Sequence, residues 1–285
     1  MPVIATATLV DRARAAGVGV AAFNVITLEH AEGLVAAAER AGSPIIMQIS
    51  QNAVRFRGSL HPLAAATLAI AAASPVAVAV HLDHVDDLTL LHQAPVAGLS
   101  SAMFDAGNLH YADNVSRTRA AADWAHQNGL WLEAELGYVG GKADAPASAH
   151  APGARTDPAE AADYVGATGV DALAVAVGTS HAMTTRSARL DIDLVTRLRD
   201  AVPVPLVLHG SSGVANDQLR DGIRAGLTKI NVGTALNIGY TQAVRSCLAA
   251  DADVSDPRKY LGPARQAVVD VAADLIATIS GRRDQ

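Results

Sequence analysis

Short apolar runs alternate along the chain with longer, alanine-rich stretches whose apolar positions recur at helical spacing. The runs at 18–24 (VGVAAFN), 44–50 (PIIMQIS), 76–82 (VAVAVHL), 100–106 (SSAMFDA), 130–136 (LWLEAEL), 172–178 (ALAVAVG), 205–210 (PLVLHG) and 228–233 (TKINVG) predict strands. Between them, residues 28–41, 62–73, 113–128, 158–168, 191–201 and 215–226 predict helices. A strand followed by a helix, repeated, is the signature of parallel βα units. Eight such units in 285 residues predict an α/β fold, a (β/α)8 TIM barrel forming one domain over 1–285. A doubly wound open sheet is the alternative that the same alternation allows. Two segments depart from it. Residues 137–157 (GYVGGKADAPASAHAPGARTD) form a long Gly-, Ala- and Pro-rich loop, expected to be a mobile lid. From about residue 256 a tail adds an Asp-Pro-Arg turn (256–258) and a final helix near 263–279.

Barrel strands are buried on both faces, so a polar residue at a strand end needs a reason. Nearly every predicted strand ends in one: Asn24, Ser50, Asp83 with His84, Asp105, Glu135, His209 and Asn231, with His181 just past the sixth. In a barrel the C-terminal strand ends surround one face, so His84, His181 and His209 would converge there. Three protein ligands and an open position are the pattern of a catalytic zinc. His30, His61, His92, His110, His126 and His150 fall in helices or loops and read as surface or core residues. Glu133 and Glu135 lie two apart on one strand and face the same side, as partners for metal-bound imidazoles or as a structural hydrogen-bond network. Asp83 is placed as a proton donor or acceptor beside the metal. HGSSGV (209–214) and NVGT (231–234) follow the last two strands, where barrels cradle phosphate with backbone amides.

Charge and composition narrow the partners. Twenty-two basic and 28 acidic residues leave a net charge of −6, so no nucleic-acid footprint is expected. The single cysteine, Cys247, permits no intrachain disulfide and fits a reducing compartment. Charges at Asp11, Arg12 and Arg14 fall where a signal peptide would need its apolar stretch. The uncharged segment 62–80 has the length of a membrane span, but Ser74-Pro75 interrupts it, and it reads as a helix, a turn and a strand. A cytoplasmic protein without a membrane partner is expected.

AFN at 22–24, HLDH at 81–84, EAELG at 133–137, the His181 segment, LVLHGSSG at 206–213, KINVGT at 229–234 and DPRKYL at 256–261 together resemble the class II, zinc-dependent ketose-bisphosphate aldolases. The resemblance runs from about residue 5 to 261 in unbroken order and is closer to the tagatose-type branch than to the longer fructose-type enzymes. It implies reversible aldol cleavage of a ketose 1,6-bisphosphate to dihydroxyacetone phosphate and an aldehyde, with one catalytic Zn²⁺ on His84, His181 and His209. It also implies that Glu135 and Asp105 hold the metal in an alternate resting position, and that Asp83 is the acid/base on the hydroxyl of the bond being cleaved. Asn24, Ala182, Gly210, Ser211, Ser212 and the run Asn231, Val232, Gly233, Thr234 match residues that hold the ketone-side phosphate and the enediolate. Asn231 is among the catalytic groups, and a monovalent cation is implied near the phosphate. Arg258, with Ser50 near it, matches an arginine reaching the far phosphate across a subunit interface, which implies a homodimer or homotetramer.

The sequence departs from the family in three places. The glutamate usual after the lid's Gly-Gly is replaced by Ala143, which leaves Asp144 as the acid that protonates the enediolate carbon. Ala182 stands where glycine is usual, and Gly233 and Ala235 lack the acidic side chains of the fructose branch. These departures bear on substrate identity, and another phosphorylated keto-sugar is an alternative. A Schiff-base aldolase would need a lysine at a strand end. Of Lys142, Lys229 and Lys259, only Lys229 is in a strand, at its start and away from the site face. A zinc-dependent barrel hydrolase would use the same histidines, and a non-catalytic sugar-phosphate sensor would bind without turnover.

Overall fold

The computed structural model describes residues 3–137 and 155–281. Eight parallel strands, β1 (Val20–Asn24), β2 (Ile45–Ser50), β3 (Val78–Val85), β4 (Ser101–Phe104), β5 (Trp131–Leu136), β6 (Ala172–Val175), β7 (Leu206–Leu208) and β8 (Leu227–Val232), pair in chain order. β8 returns to β1, with Val20 opposite Lys229 and Ala22 opposite Asn231, so the sheet closes as a barrel. The helices are α1 (Thr6–Ala16), α2 (Leu28–Ala41), α3 (Gln51–Arg57), α4 (His61–Ala73), α5 (Leu88–Leu91), α6 (Tyr111–Gln127), α7 (Pro158–Thr168), α8 (Ile192–Ala201), α9 (Asn216–Ala225), α10 (Thr234–Ala250) and α11 (Arg258–Ile279). The (β/α)8 barrel expected from the alternation is the fold observed, and the open sheet is excluded by the β8–β1 pairing.

Strand alternation divides the side chains into two layers. Phe23, Ile45, Met47, Ile49, Leu82, Leu132 and Ile230 point outward and pack against the helices in the main core. Val20, Ala22, Ile46 and Ala79 point inward at the N-terminal end, where Leu9, Val10 and Ala13 of α1 close the barrel mouth. Above this apolar plug the inward positions become polar: Gln48, His81, Asp83, Glu133, Glu135, His209, Lys229 and Asn231 are all buried. The barrel is therefore sealed at one end and chemically equipped toward the other.

Two boundaries differ from the sequence expectation. The final helix starts at Arg258 and runs through Pro263, earlier than the expected start near 263. Residues 234–250 form a long helix where only the phosphate loop at its start had been read. The membrane-length segment 62–80 divides into α4, a turn and the start of β3 as expected. Among the described residues no helix is long and apolar enough to cross a membrane.

Candidate active site

His84 and Asp83 are consecutive, and a regular strand would point them to opposite faces. The chain avoids this with a local irregularity. The β3–β4 register shifts between Leu82 and Val85, and His84 takes a left-handed backbone conformation at φ 51°. Val85 then returns to the outer core, while Asp83 and His84 both line the same cleft. A non-glycine residue in that conformation is uncommon and costs energy, so it marks a position held by its surroundings.

The cleft opens at the C-terminal strand ends and encloses about 430 Å³. His84, His181 and His209 meet on its floor, with ring centroids 5.0 Å, 4.8 Å and 5.6 Å apart in pairs. Ligand atoms of these three and of Glu135 lie within 4.8 Å of one another. Asp105 stands outside that set and instead meets His84 Nδ1 at 3.0 Å. His209 is flanked on both sides: Nε2 is 2.9 Å from Glu133 Oε1 and Nδ1 is 2.9 Å from Glu135 Oε2. Carboxylates on His84 Nδ1 and His209 Nε2 turn the opposite ring nitrogens toward the cluster. Three imidazoles and a carboxylate are an N/O donor set that suits zinc, so these residues fit a metal.

The electrostatics follow from burial and from these contacts. Burial works against a charged His209, yet its bonds to Glu133 and Glu135 lift its pKa to about 10. Burial also resists ionisation of Asp83, but the charge of His84, then of Lys229 and His209, holds its carboxyl below the usual range. Asp83 is thus kept as a carboxylate able to accept a proton. Its Oδ2 is 3.4 Å from Gln48 Nε2, which also donates to Asn24 Oδ1 at 2.9 Å.

Asn24, Ser50, Ala182, Gly210, Ser212, Asn231, Gly233 and Thr234 all line the cleft. Gly210 adopts φ 68°, and a Cβ there would sit 2.5 Å from the Ser180 carbonyl oxygen, so the turn after His209 needs glycine. Ala182 is left-handed at φ 57°, the conformation for which the family's glycine is suited. Gly233 and Thr234 form the N-terminus of α10, where exposed amides and the helix dipole favour an anion. Ser212 Oγ accepts from Ala235 N–H at 3.1 Å, which ties the two loops together.

Two expected phosphate contacts are placed differently. The Ser211 hydroxyl is buried and donates to the Asn231 carbonyl oxygen, so it serves the loop and not the cleft. Val232 turns its side chain into the outer core, leaving only its main chain on the site side. Arg258 lies outside the cleft lining, with its side chain 89% exposed and paired to Asp256 at 2.7 Å. Ser50 accepts from Ala53 N–H at 3.2 Å as the cap of α3. Asp144 and Lys142 lie outside the described residues, as does most of the 137–157 loop. The described end of that segment is pinned where Thr156 Oγ1 donates to the Leu136 carbonyl at 2.6 Å.

Several site residues went unread in the sequence. Lys229, placed there away from the site, in fact points up the barrel interior to Glu133 Oε2 at 2.8 Å. His81 is buried and meets Ser101 Oγ at 2.7 Å through Nδ1. Gln48 carries a legible signal, since it breaks an apolar run at the inward position between Ile46 and Ser50. Arg55 and Asp86 sit on the cleft rim 3.4 Å apart, and Gln51 donates to Asp86 at 2.5 Å.

Comparison with known proteins agrees with this geometry. Residues 4–283 match the family described as fructose-bisphosphate aldolase class-II. The YdjI aldolase from Escherichia coli K12 is 31% identical, with a TM-score of 0.84 over 99% of this chain and 100% of that one. A putative fructose-1,6-biphosphate aldolase from Coccidioides immitis is 25% identical, with a TM-score of 0.85 over 97% of both chains. Fructose-bisphosphate aldolase (Fba) from Campylobacter jejuni, 20% identical, shares the fold with a TM-score of 0.82 over 97% of this chain and 95% of that one.

Proposed function

The chain belongs to the class-II fructose-bisphosphate aldolase family, and from that membership we propose that this metal-dependent aldolase uses zinc to cleave a ketose 1,6-bisphosphate of the fructose or tagatose type. The observation that carries the reading is the cluster of His84, His181, His209 and Glu135 in the cleft that the N-terminus of α10 also lines. Zinc held there supplies Lewis acidity toward the carbonyl and hydroxyl oxygens of the ketone half. Gly210, Ser212, Gly233 and Thr234 hold the ketone-side phosphate, with the main chain of Ala182 beside them. Asp83 takes the proton from the alcohol as the carbon–carbon bond breaks and the aldehyde leaves. The bonding pair passes into the enediolate, whose oxygen the Asn231 amide meets as a hydrogen-bond donor. Asp144 then gives a proton to the enediolate carbon and dihydroxyacetone phosphate is released.

Asp105 is best assigned to orienting His84, on its 3.0 Å contact, and only secondarily to holding a displaced metal. A monovalent cation near the phosphate completes the proposed site. Arg258 serves the far phosphate of a neighbouring subunit in a homodimer or homotetramer acting in the cytoplasm. Arg258→Ala then raises KM for bisphosphates and leaves kcat close to normal; an unchanged KM would remove the assignment.

The test is a panel of ketose bisphosphates and other phosphorylated keto-sugars, with release of dihydroxyacetone phosphate followed by a coupled assay. Cleavage of one bisphosphate, with kcat lost in Asp83→Asn and Asp144→Asn, supports the reading. Cleavage confined to monophosphorylated sugars would transfer it to another keto-sugar. Tight binding without turnover by zinc-loaded protein would make the chain a sensor.

A further inference from the structure

Lys229 is a fully buried cation that the proposed chemistry does not use. It sits two residues before Asn231 on β8, so both side chains point into the barrel. Its Nζ lies 2.8 Å from Glu133 Oε2 and donates to Asn231 Oδ1, also at 2.8 Å. The other oxygen of Glu133, Oε1, meets His209 Nε2 at 2.9 Å. One ammonium therefore links a residue of the metal cluster on β7's end to the amide at the end of β8.

We propose that Lys229 is a positioning residue that fixes two working groups at once: the ring orientation of His209, through Glu133, and the rotamer of the Asn231 amide. The inference rests on the reading above in which Asn231 meets the enediolate. An ammonium has only donors, so the atom of Asn231 facing it must be the carbonyl oxygen. The NH2 end is then the one turned to the cleft, where Asn231 lies in the lining. An enediolate oxygen needs a donor at that place, and a flipped amide would oppose it with a second oxygen. Glu133 Oε2 is taken by the ammonium, so Oε1 is the oxygen left to hold His209 Nε2. His209 must then present an N–H at Nε2, which directs Nδ1 toward the cluster with Glu135. Ammonium and carboxylate are buried together, so neither charge stands without its counter-charge in the barrel interior.

Removing the ammonium alone strands the Glu133 carboxylate in the barrel and endangers folding, so two variants are needed. Lys229→Met combined with Glu133→Gln deletes both charges, and the oxygen of the introduced amide still accepts from His209 Nε2. This double variant is expected to fold, hold wild-type metal content and bind inorganic phosphate normally. Nothing then takes the Asn231 carbonyl oxygen. Its kcat should fall about 100-fold, the loss typical of one misplaced oxyanion donor, with KM little changed. Affinity for a phosphorylated hydroxamate, an enediolate mimic, should fall by a similar factor, which a merely structural role would not produce. Glu133→Gln alone leaves the ammonium buried without its counter-charge, so its fold is checked first by circular dichroism; folded, and with Lys229 still on Asn231, it should lose far less of either. A folded, metal-loaded double variant with wild-type kcat and hydroxamate affinity would overturn the proposal. Wild-type protein that cleaves no substrate would instead strike the function reading beneath it, so the two failures are distinguishable.

Discussion

His81 has no solvent exposure, and burial, with the Lys229 charge second, holds its pKa down at about 3. In the unfolded chain the same ring takes a proton near its ordinary value of 6.5. Between these two values the unfolded state binds more protons, so the stability His81 contributes above 6.5 is lost as pH falls toward 3. Glu133, Glu135 and Asp83 are lowered too and act with the same sign at acid pH, so the histidine must be isolated by difference. His81→Asn, which can still bond Ser101, should flatten the slope of unfolding free energy by up to about 1.4 kcal/mol per pH unit between about pH 6 and 4. Denaturant titrations at several pH values measure it, and an unchanged slope would mean that the ring titrates normally. At this scale the sequence was only partly legible. Strand-end residues such as His84, His209 and Asn231 announced themselves because polar side chains are expensive at the end of buried strands. His81 and Lys229 did not, since a polar residue within or at the start of a strand gives no sign of which partner waits across the barrel.

The strands were the easiest elements to find, because parallel barrel strands are buried on both faces and read as near-continuous apolar runs. The extra helices were harder for reasons visible in their packing. α10 buries only Leu236 within this chain, so it carries no broad apolar stripe to announce it. α1 lies outside the βα repeat altogether and closes the barrel with Leu9 and Val10. The β3 irregularity that brings Asp83 and His84 to one cleft leaves no sequence mark, since the strained residue is a histidine and not a glycine. The plug role of α1 gives an element-scale expectation. Leu9→Ala should cost about 3 kcal/mol of stability, as is usual for a buried leucine, because the cavity opens between α1 and the inward strand residues. Metal content measured by elemental analysis should be unchanged, as the polar layer lies beyond the plug; metal loss would show that the two layers are coupled.

Across the whole molecule, the barrel converts distant sequence positions into one site. His84 from β3, Glu135 from β5, His181 after β6 and His209 after β7 are brought within ligand distance of one another by strand order alone. The amides proposed to bind phosphate come from the next unit, the start of α10, so they adjoin the histidine cluster because β7 and β8 are adjacent. This is why the ordered motifs sufficed to expect the fold and the histidine cluster, while the rim pair Arg55 and Asp86 stayed unread. Their pairing joins α3 to the segment after β3, which spacing does not reveal. The proposed reaction stands or falls on the metal. Release of dihydroxyacetone phosphate should be measured with the preferred substrate on protein as purified, after EDTA, and after return of Zn²⁺. Activity lost on chelation and restored by one equivalent of zinc per chain is the result expected. Turnover that survives complete removal of metal would contradict the assignment of His84, His181 and His209 as the centre of the reaction.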